Sequence, residues 1–283
     1  MALEQGSRES LAQKTTRLLR TFAADPVGVS RSLPGEFLQK HGSIKYSAAE
    51  VDDDWYEHLH DLLDQPWPCP ETERLDGLMA DIGERLKDHG LATGRATYGW
   101  YSDAEVTLAR AVWCTTRHIR PDVVVETGVA HGVTSRIILE ALSKNDRGHL
   151  WSIDLPHPLD HRLHAQTGVA VTRECRRRWT YLEGASRQRL PPLVHQVGHV
   201  ELFIHDSLHT AKNTLFEMEQ AASAMRPGGV MLIDDIKSHL GFAAFAKRHP
   251  DYQTIVCETE DKIGMFGIAV KASAALADAE IAS

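Results

Sequence analysis

The sequence predicts an α/β protein: a doubly wound, mostly parallel sheet of seven strands with a C-terminal antiparallel hairpin, preceded by a mainly helical N-terminal extension. Three observations carry this. Strand-like apolar segments alternate with helix-like ones from Val123 to about Asp235, and such alternation calls for parallel strands with crossovers on both faces. The first segment, Val123 to Gly132 (VVVETGVAHG), runs three β-branched valines into a glycine turn, as expected of a strand covered on both sides. The last two, Tyr252 to Thr259 and Met265 to Val270, are joined only by Glu260-Asp261-Lys262-Ile263-Gly264. That connection is too short for a parallel crossover and makes a hairpin.

In chain order, residues 1–97 carry amphipathic segments, notably Leu11 to Phe22 and Asp76 to His89. They are punctuated at Pro26, Pro34, Gly35 and Pro66-Trp67-Pro68-Cys69-Pro70. No strand alternation stands out, so this extension reads as helices with irregular connections, suited to a lid, a substrate-binding or an oligomer-forming role. The second unit, residues 98–283, opens with a helix to about Ile119, with Ser102 or Asp103 as its cap. Strands follow at Val123 to Gly128, His149 to Leu155, Trp179 to Glu183, Val200 to Asp206 and Gly229 to Asp235, with helical stretches between them.

Composition narrows the function. A formal net charge of −8 disfavours nucleic acid and anionic membranes, both polyanions that attract basic faces. The N-terminus lacks an apolar signal core, and no apolar run approaches the roughly 18 residues of a membrane span. A cytoplasmic protein is expected. Cys69, Cys114, Cys175 and Cys257 show no paired spacing and read as free thiols in a reducing compartment.

The glycine turn points to a nucleotide-type cofactor. Its spacing, Gly128-x-x-x-Gly132, is not the Gly-x-Gly-x-x-Gly that cradles a pyrophosphate, and Glu126 puts negative charge where phosphates would be repelled. A phosphate-free, cationic cofactor fits better. Thr134 or Ser135 would cap the following helix. Asp154 closes the second strand, where doubly wound folds place an acid for a ribose diol; a helix cap is its plainer role. Asp206 closes strand four, and Asp234 with Asp235 closes strand five. If these strands neighbour the first, three carboxylates crowd together, and a hard divalent ion such as magnesium would relieve their repulsion. The plainer reading is one aspartate capping a helix and another facing solvent. His209, three residues past Asp206, titrates near neutrality and can serve as a general base, or simply as a surface or capping residue. His157, His161 and His164 are a weak zinc set, and Arg176 to Arg178 read as a solvated helix end. Trp100 and Tyr101 are placed to roof a ligand or to pack the two regions together.

From Tyr98 to Ala272, the element order, the acid before the glycine turn and the terminal hairpin resemble the class I S-adenosylmethionine-dependent methyltransferases, whose fold is Rossmann-like. FIHDSLHT (Phe203 to Thr210) and VMLIDDI (Val230 to Ile236) resemble the small-molecule O-methyltransferases related to catechol and macrolide-sugar enzymes. The resemblance implies that Glu126, Gly128 and Gly132 face the methionine moiety of the cofactor, Asp154 the ribose, and the Glu183-Gly184-Ala185-Ser186 loop the adenine, with Ser186 as its hydrogen-bonding group. It places Asp206 beside the methyl donor and makes the acceptor a small hydroxylated molecule. The commoner Gly-Asp-Ser form of the adenine loop is absent. An NAD(P)-dependent oxidoreductase shares the alternation and Asp154 but would need the pyrophosphate turn. A non-catalytic cofactor- or protein-binding module is the remaining alternative, and His209 beside three acids argues for chemistry.

Overall fold

The computed structural model describes residues 46–47, 49–92, 105–155 and 161–273. Leu11 to Phe22, Trp100, Tyr101, Ser102, Asp103 and His157 lie outside the described residues. Within them, two helices come first, α1 (Trp55–Leu62) and α2 (Glu73–Asp88), followed by α3 (Val106–Ile119). Then come β1 (Val123–Thr127), α4 (Val133–Asn145), β2 (His149–Asp154), α5 (His161–Gln166) and a short 3-10 turn over Cys175–Arg178. The remainder is β3 (Trp179–Glu183), α6 (Ser186–Val197), β4 (Val200–His205), α7 (Ala211–Ala222), β5 (Met225–Ile233), α8 (Gly241–Arg248), β6 (Tyr252–Glu258) and β7 (Met265–Lys271).

All seven strands form one sheet in the order β3-β2-β1-β4-β5-β7-β6. β1 to β5 pair in parallel, while β7 lies antiparallel between β5 and β6. The direction of winding reverses between β1 and β4, so a crevice opens beyond the carboxyl ends of these strands, where ligands of such sheets bind. β5 begins at Met225, four residues before the expected Gly229, with a register irregularity opposite Val200 to Leu202.

Strand alternation divides the core between the two faces. Val124, Leu150, Leu202 and Ile204 pack with Ile137, Ile138, Val112 and the α1–α2 residues Leu59, Leu75, Ile82 and Leu86. Val125, Ile153, Phe203 and Ile233 pack on the other face with Leu190, Met218 and Phe245. Each such fully buried side chain contributes about 1.5–3 kcal/mol of transfer free energy. α1 and α2 thus share one core with the sheet. No helix among the described residues is long and apolar enough to cross a membrane.

The N-cap of α3 is Glu105, whose carboxylate accepts the Thr107 amide at 2.8 Å. α4 has Gly132 as N-cap with no side-chain capping bond, so neither Thr134 nor Ser135 plays that part.

Candidate functional site

Register fixes the site. The Asp206 amide donates to the Thr127 carbonyl at 2.8 Å and the Asp234 amide to the His205 carbonyl at 2.9 Å. The Gly128 amide donates to the Ile153 carbonyl at 2.9 Å. Parallel strands that end in step therefore set Gly128, Asp154, Asp206 and Asp234 side by side along one edge. The turn after β1 has positive φ at Gly128 (88°), Ala130 (46°) and Gly132 (82°), a conformation that costs a non-glycine residue energy. Gly132 is also pressed by a neighbour, because a Cβ there would lie 2.8 Å from Gly168 Cα. Residues 167–171 buttress the turn, with the Gly168 amide on the Ala130 carbonyl and the Ala170 amide on the His131 carbonyl, each at 2.9 Å.

Near the carboxyl ends both core faces turn polar. On the α4 face, Glu126 is fully buried; its Oε2 accepts from Ser135 Oγ and Ser152 Oγ, each at 2.6 Å, and Trp179 Nε1 donates to Ser152 Oγ at 2.8 Å. Its Oε1 is buried without a partner among the described residues. Burial, aided by the charges of Asp206 and Asp154, pushes the Glu126 carboxyl up to about 8, although the two serines pull the other way. Ser135 is thus a fixed donor to Glu126 and Thr134 is a buried residue of the first turn of α4. The folded value of Glu126 lies above its ordinary 4.5, so its contribution to stability is full below about 4.5 and lost as pH rises through about 8. Glu126→Gln is expected to flatten the ligand-free stability profile by one proton's slope between those limits, an effect of a few kcal/mol in order of magnitude. Urea unfolding across a pH series checks it, and equal slopes for both proteins would refute it.

On the opposite face, Thr127 Oγ1 and His205 Nδ1 meet Glu217 Oε2, both at 2.6 Å, while Ser207 Oγ and Asn213 Nδ2 donate to Oε1 at 2.8 Å. Thr214 Oγ1 bridges His205 Nε2 and His239 Nε2 at 2.9 and 3.1 Å. Burial opposes the Glu217 charge, but His205 and the hydroxyl donors, Ser186 among them, outweigh it and hold the carboxyl down at about 2. This network ties β4, α6 and α7 together beneath the Asp206 loop. Sequence reasoning missed it. Its signal was present: Asn213, Thr214 and Glu217 are polar residues at buried positions of α7.

Asp154 accepts the Ala130 amide at 3.4 Å. Burial, reinforced by Asp206, pushes its carboxyl up to about 6 against the pull of backbone amides. His209 stands among the three aspartates: Nε2 is 3.5 Å from Asp206 Oδ1 and 3.8 Å from Asp234 Oδ2, while Nδ1 is 3.5 Å from Asp235 Oδ2. Burial works against its charge, yet Asp206, Asp235 and Asp234 prevail and hold the imidazole well above its usual range. Burial and the Asp206 charge likewise push Asp234 up, whereas His209 and Ser238 overcome burial to hold Asp235 down. Asp206, His209 and Asp234 offer ligand atoms within 4.8 Å of one another. Asp235 lies against the far nitrogen of His209, and Nε2 faces Asp206 and Asp234.

A seven-stranded sheet of this order, with an acid-lined crevice at the winding reversal, defines a class I methyltransferase fold. Residues 125–236 match the family model Methyltransf_24, described as a methyltransferase domain. The O-methyltransferase from Bacillus cereus, solved in complex with SAH, aligns with a TM-score of 0.52 at 13% identity over 79% of this chain and 98% of that one. The O-methyltransferase TomG from Streptomyces achromogenes, involved in tomaymycin synthesis and solved with SAM, aligns at 0.50 and 12% identity over 81% and 100%. At such identities the likeness is one of fold. No curated protein matches the chain.

Proposed function

We propose that the protein transfers the methyl group of S-adenosylmethionine to a hydroxyl oxygen of a small acceptor, with His209 as general base and magnesium held by Asp206 and Asp234. The observation that supports this reading is the concentration of carboxylates at the strand ends: Glu126 and Asp154 both feel the charge of Asp206. A cofactor carrying a sulfonium and an ammonium is attracted by such a crevice, and a pyrophosphate is repelled. Asp154 would accept the ribose hydroxyls, and the backbone from Gly128 to Gly132 would lie along the methionine moiety. Glu126, buried behind β1, would act through its unpartnered Oε1.

Asp235 accepts from the Nδ1–H of His209 and fixes the tautomer, leaving Nε2 to take the acceptor's proton as its oxygen attacks the methyl carbon and the sulfonium leaves as a neutral thioether. Asp206 and Asp234 then stabilise the imidazolium. Their hard oxygens suit magnesium, which when bound polarises and orients the acceptor hydroxyl. That the structurally similar proteins are described as O-methyltransferases, one solved with SAH and one with SAM, accords with this.

The test has separate arms for donor and metal. Calorimetry is expected to show binding of S-adenosylhomocysteine and not of NAD, and tight NAD binding without the former would overturn the donor assignment. Assayed against a panel of catechols and sugar hydroxyls, turnover is expected to vanish on chelation and return with magnesium alone, while donor binding persists. Full turnover after exhaustive chelation would leave the aspartates a structural or directly substrate-binding role.

A further inference from the structure

Four side chains that take no part in the crevice converge between the N-terminal helices and α3. His60 lies on α1, Cys69 in the connection from α1 to α2, and Cys114 and His118 one turn apart on α3. One ligand atom from each lies within 4.8 Å of all the others. We propose that His60, Cys69, Cys114 and His118 form a closed Cys2His2 zinc site that fastens the α1–α2 segment to α3.

The distances suit a tetrahedron. Zinc binds sulfur at about 2.3 Å and imidazole nitrogen at about 2.0–2.1 Å, so neighbouring ligands sit roughly 3.3–3.8 Å apart. Cys69 Sγ is 3.2 Å from Cys114 Sγ and 3.3 Å from His118 Nε2, so a few tenths of an ångström of expansion admit the ion. His60 supplies the independent observation. Its ring is fully buried, and Nδ1 lies 2.6 Å from the Tyr56 carbonyl. Nδ1 must therefore carry the proton and donate it, which leaves a bare lone pair on Nε2, an atom buried with no hydrogen-bond partner among the described residues. A backbone carbonyl on one ring nitrogen is the usual way a histidine is oriented to give the other to a metal.

Two thiolates would balance the charge of the ion. Tyr56 Oη lies 2.7 Å from Cys114 Sγ and 2.8 Å from Thr72 Oγ1, placing a donor beside the sulfur. The segment after Cys69 is already anchored to α3, with Trp113 Nε1 donating to the Glu71 carbonyl at 2.9 Å and Arg117 Nε to the Glu71 carboxylate at 3.0 Å. Soft sulfur with imidazole selects zinc, in contrast to the oxygen set of the crevice.

Elemental analysis of the reduced full-length protein is expected to give about one zinc per chain, as a closed four-ligand site requires. Cobalt substitution is expected to give sulfur-to-metal charge transfer in the near ultraviolet and tetrahedral bands in the visible. Cys69→Ser, Cys114→Ser and His60→Ala should each lose the metal, whereas Asp206→Asn should keep it. Reduced wild-type protein that takes up neither zinc nor cobalt would overturn the proposal without reliance on any variant. So would metal-free protein isolated with a Cys69–Cys114 disulfide in its mass spectrum, or zinc retained at full occupancy in Cys114→Ser.

Discussion

Replacing His209 by alanine is expected to lower kcat by about 10²- to 10⁴-fold, the usual contribution of a general base, with donor affinity near wild type. The imidazole has Asp235 on Nδ1 and Asp206 with Asp234 near Nε2, so its loss would remove the proposed proton acceptor and leave three carboxylates without the charge of the imidazolium. The sign of the pH dependence follows. In the resting site His209 is held well above 6.5, and a base must be neutral to act, so wild-type kcat rises with pH through the imidazole's titration. A divalent cation on Asp206 and Asp234 would shift that limb to lower pH by withdrawing the charges that favour the imidazolium. His209→Ala should lose the limb altogether. Asp235→Asn should retain part of the rate with a displaced limb, because it disturbs the tautomer but leaves the ring in place. If His209→Ala keeps full kcat and an unchanged profile, another group takes the proton.

The strands were legible because their signal is local: β-branched runs ending in glycine or aspartate at regular intervals. Once β1 was known to lie between β2 and β4, the gathering of Gly128, Asp154, Asp206 and Asp234 followed from strands ending in step. The direction of each side chain was less legible. Glu126 alternates with Val125 and so points into the α4 face, where Ser135 and Ser152 occupy one oxygen; sequence alone showed an acid at a strand end. Glu217 escaped because helix reading looks for apolar periodicity, and the buried face of α7 mixes Asn213, Thr214 and Glu217 with Met218 and Ala221. Cys69 and Cys114 escaped for a different reason. They are 45 residues apart, and a connection between helices brings them together where no local spacing rule applies.

Gly128→Ala is expected to cost about 2–5 kcal/mol of stability in the absence of any ligand, from a positive-φ penalty of about 1–2 kcal/mol and an overlap penalty of about 1–3 kcal/mol or more. Gly128 has φ +88°, and a Cβ would stand 1.8 Å from the Asp206 carbonyl oxygen and 2.4 Å from its carbonyl carbon. Neither backbone yields easily, since Asp206 is bonded to Thr127 and Gly128 to Ile153. The methyl must therefore push β4's end away from β1, carrying Asp206 with it. Gly228 is the natural control: it shares a positive φ of 75° but has nothing within 4 Å of its would-be Cβ, so Gly228→Ala should cost only the conformational part. Urea unfolding of both variants separates packing from strain. For any Gly128→Ala protein that folds, kcat should fall more than donor affinity if Asp206 serves the acceptor as proposed. A variant of normal ligand-free stability that loses only donor binding would show instead that Gly128 is glycine solely to let the cofactor approach the backbone.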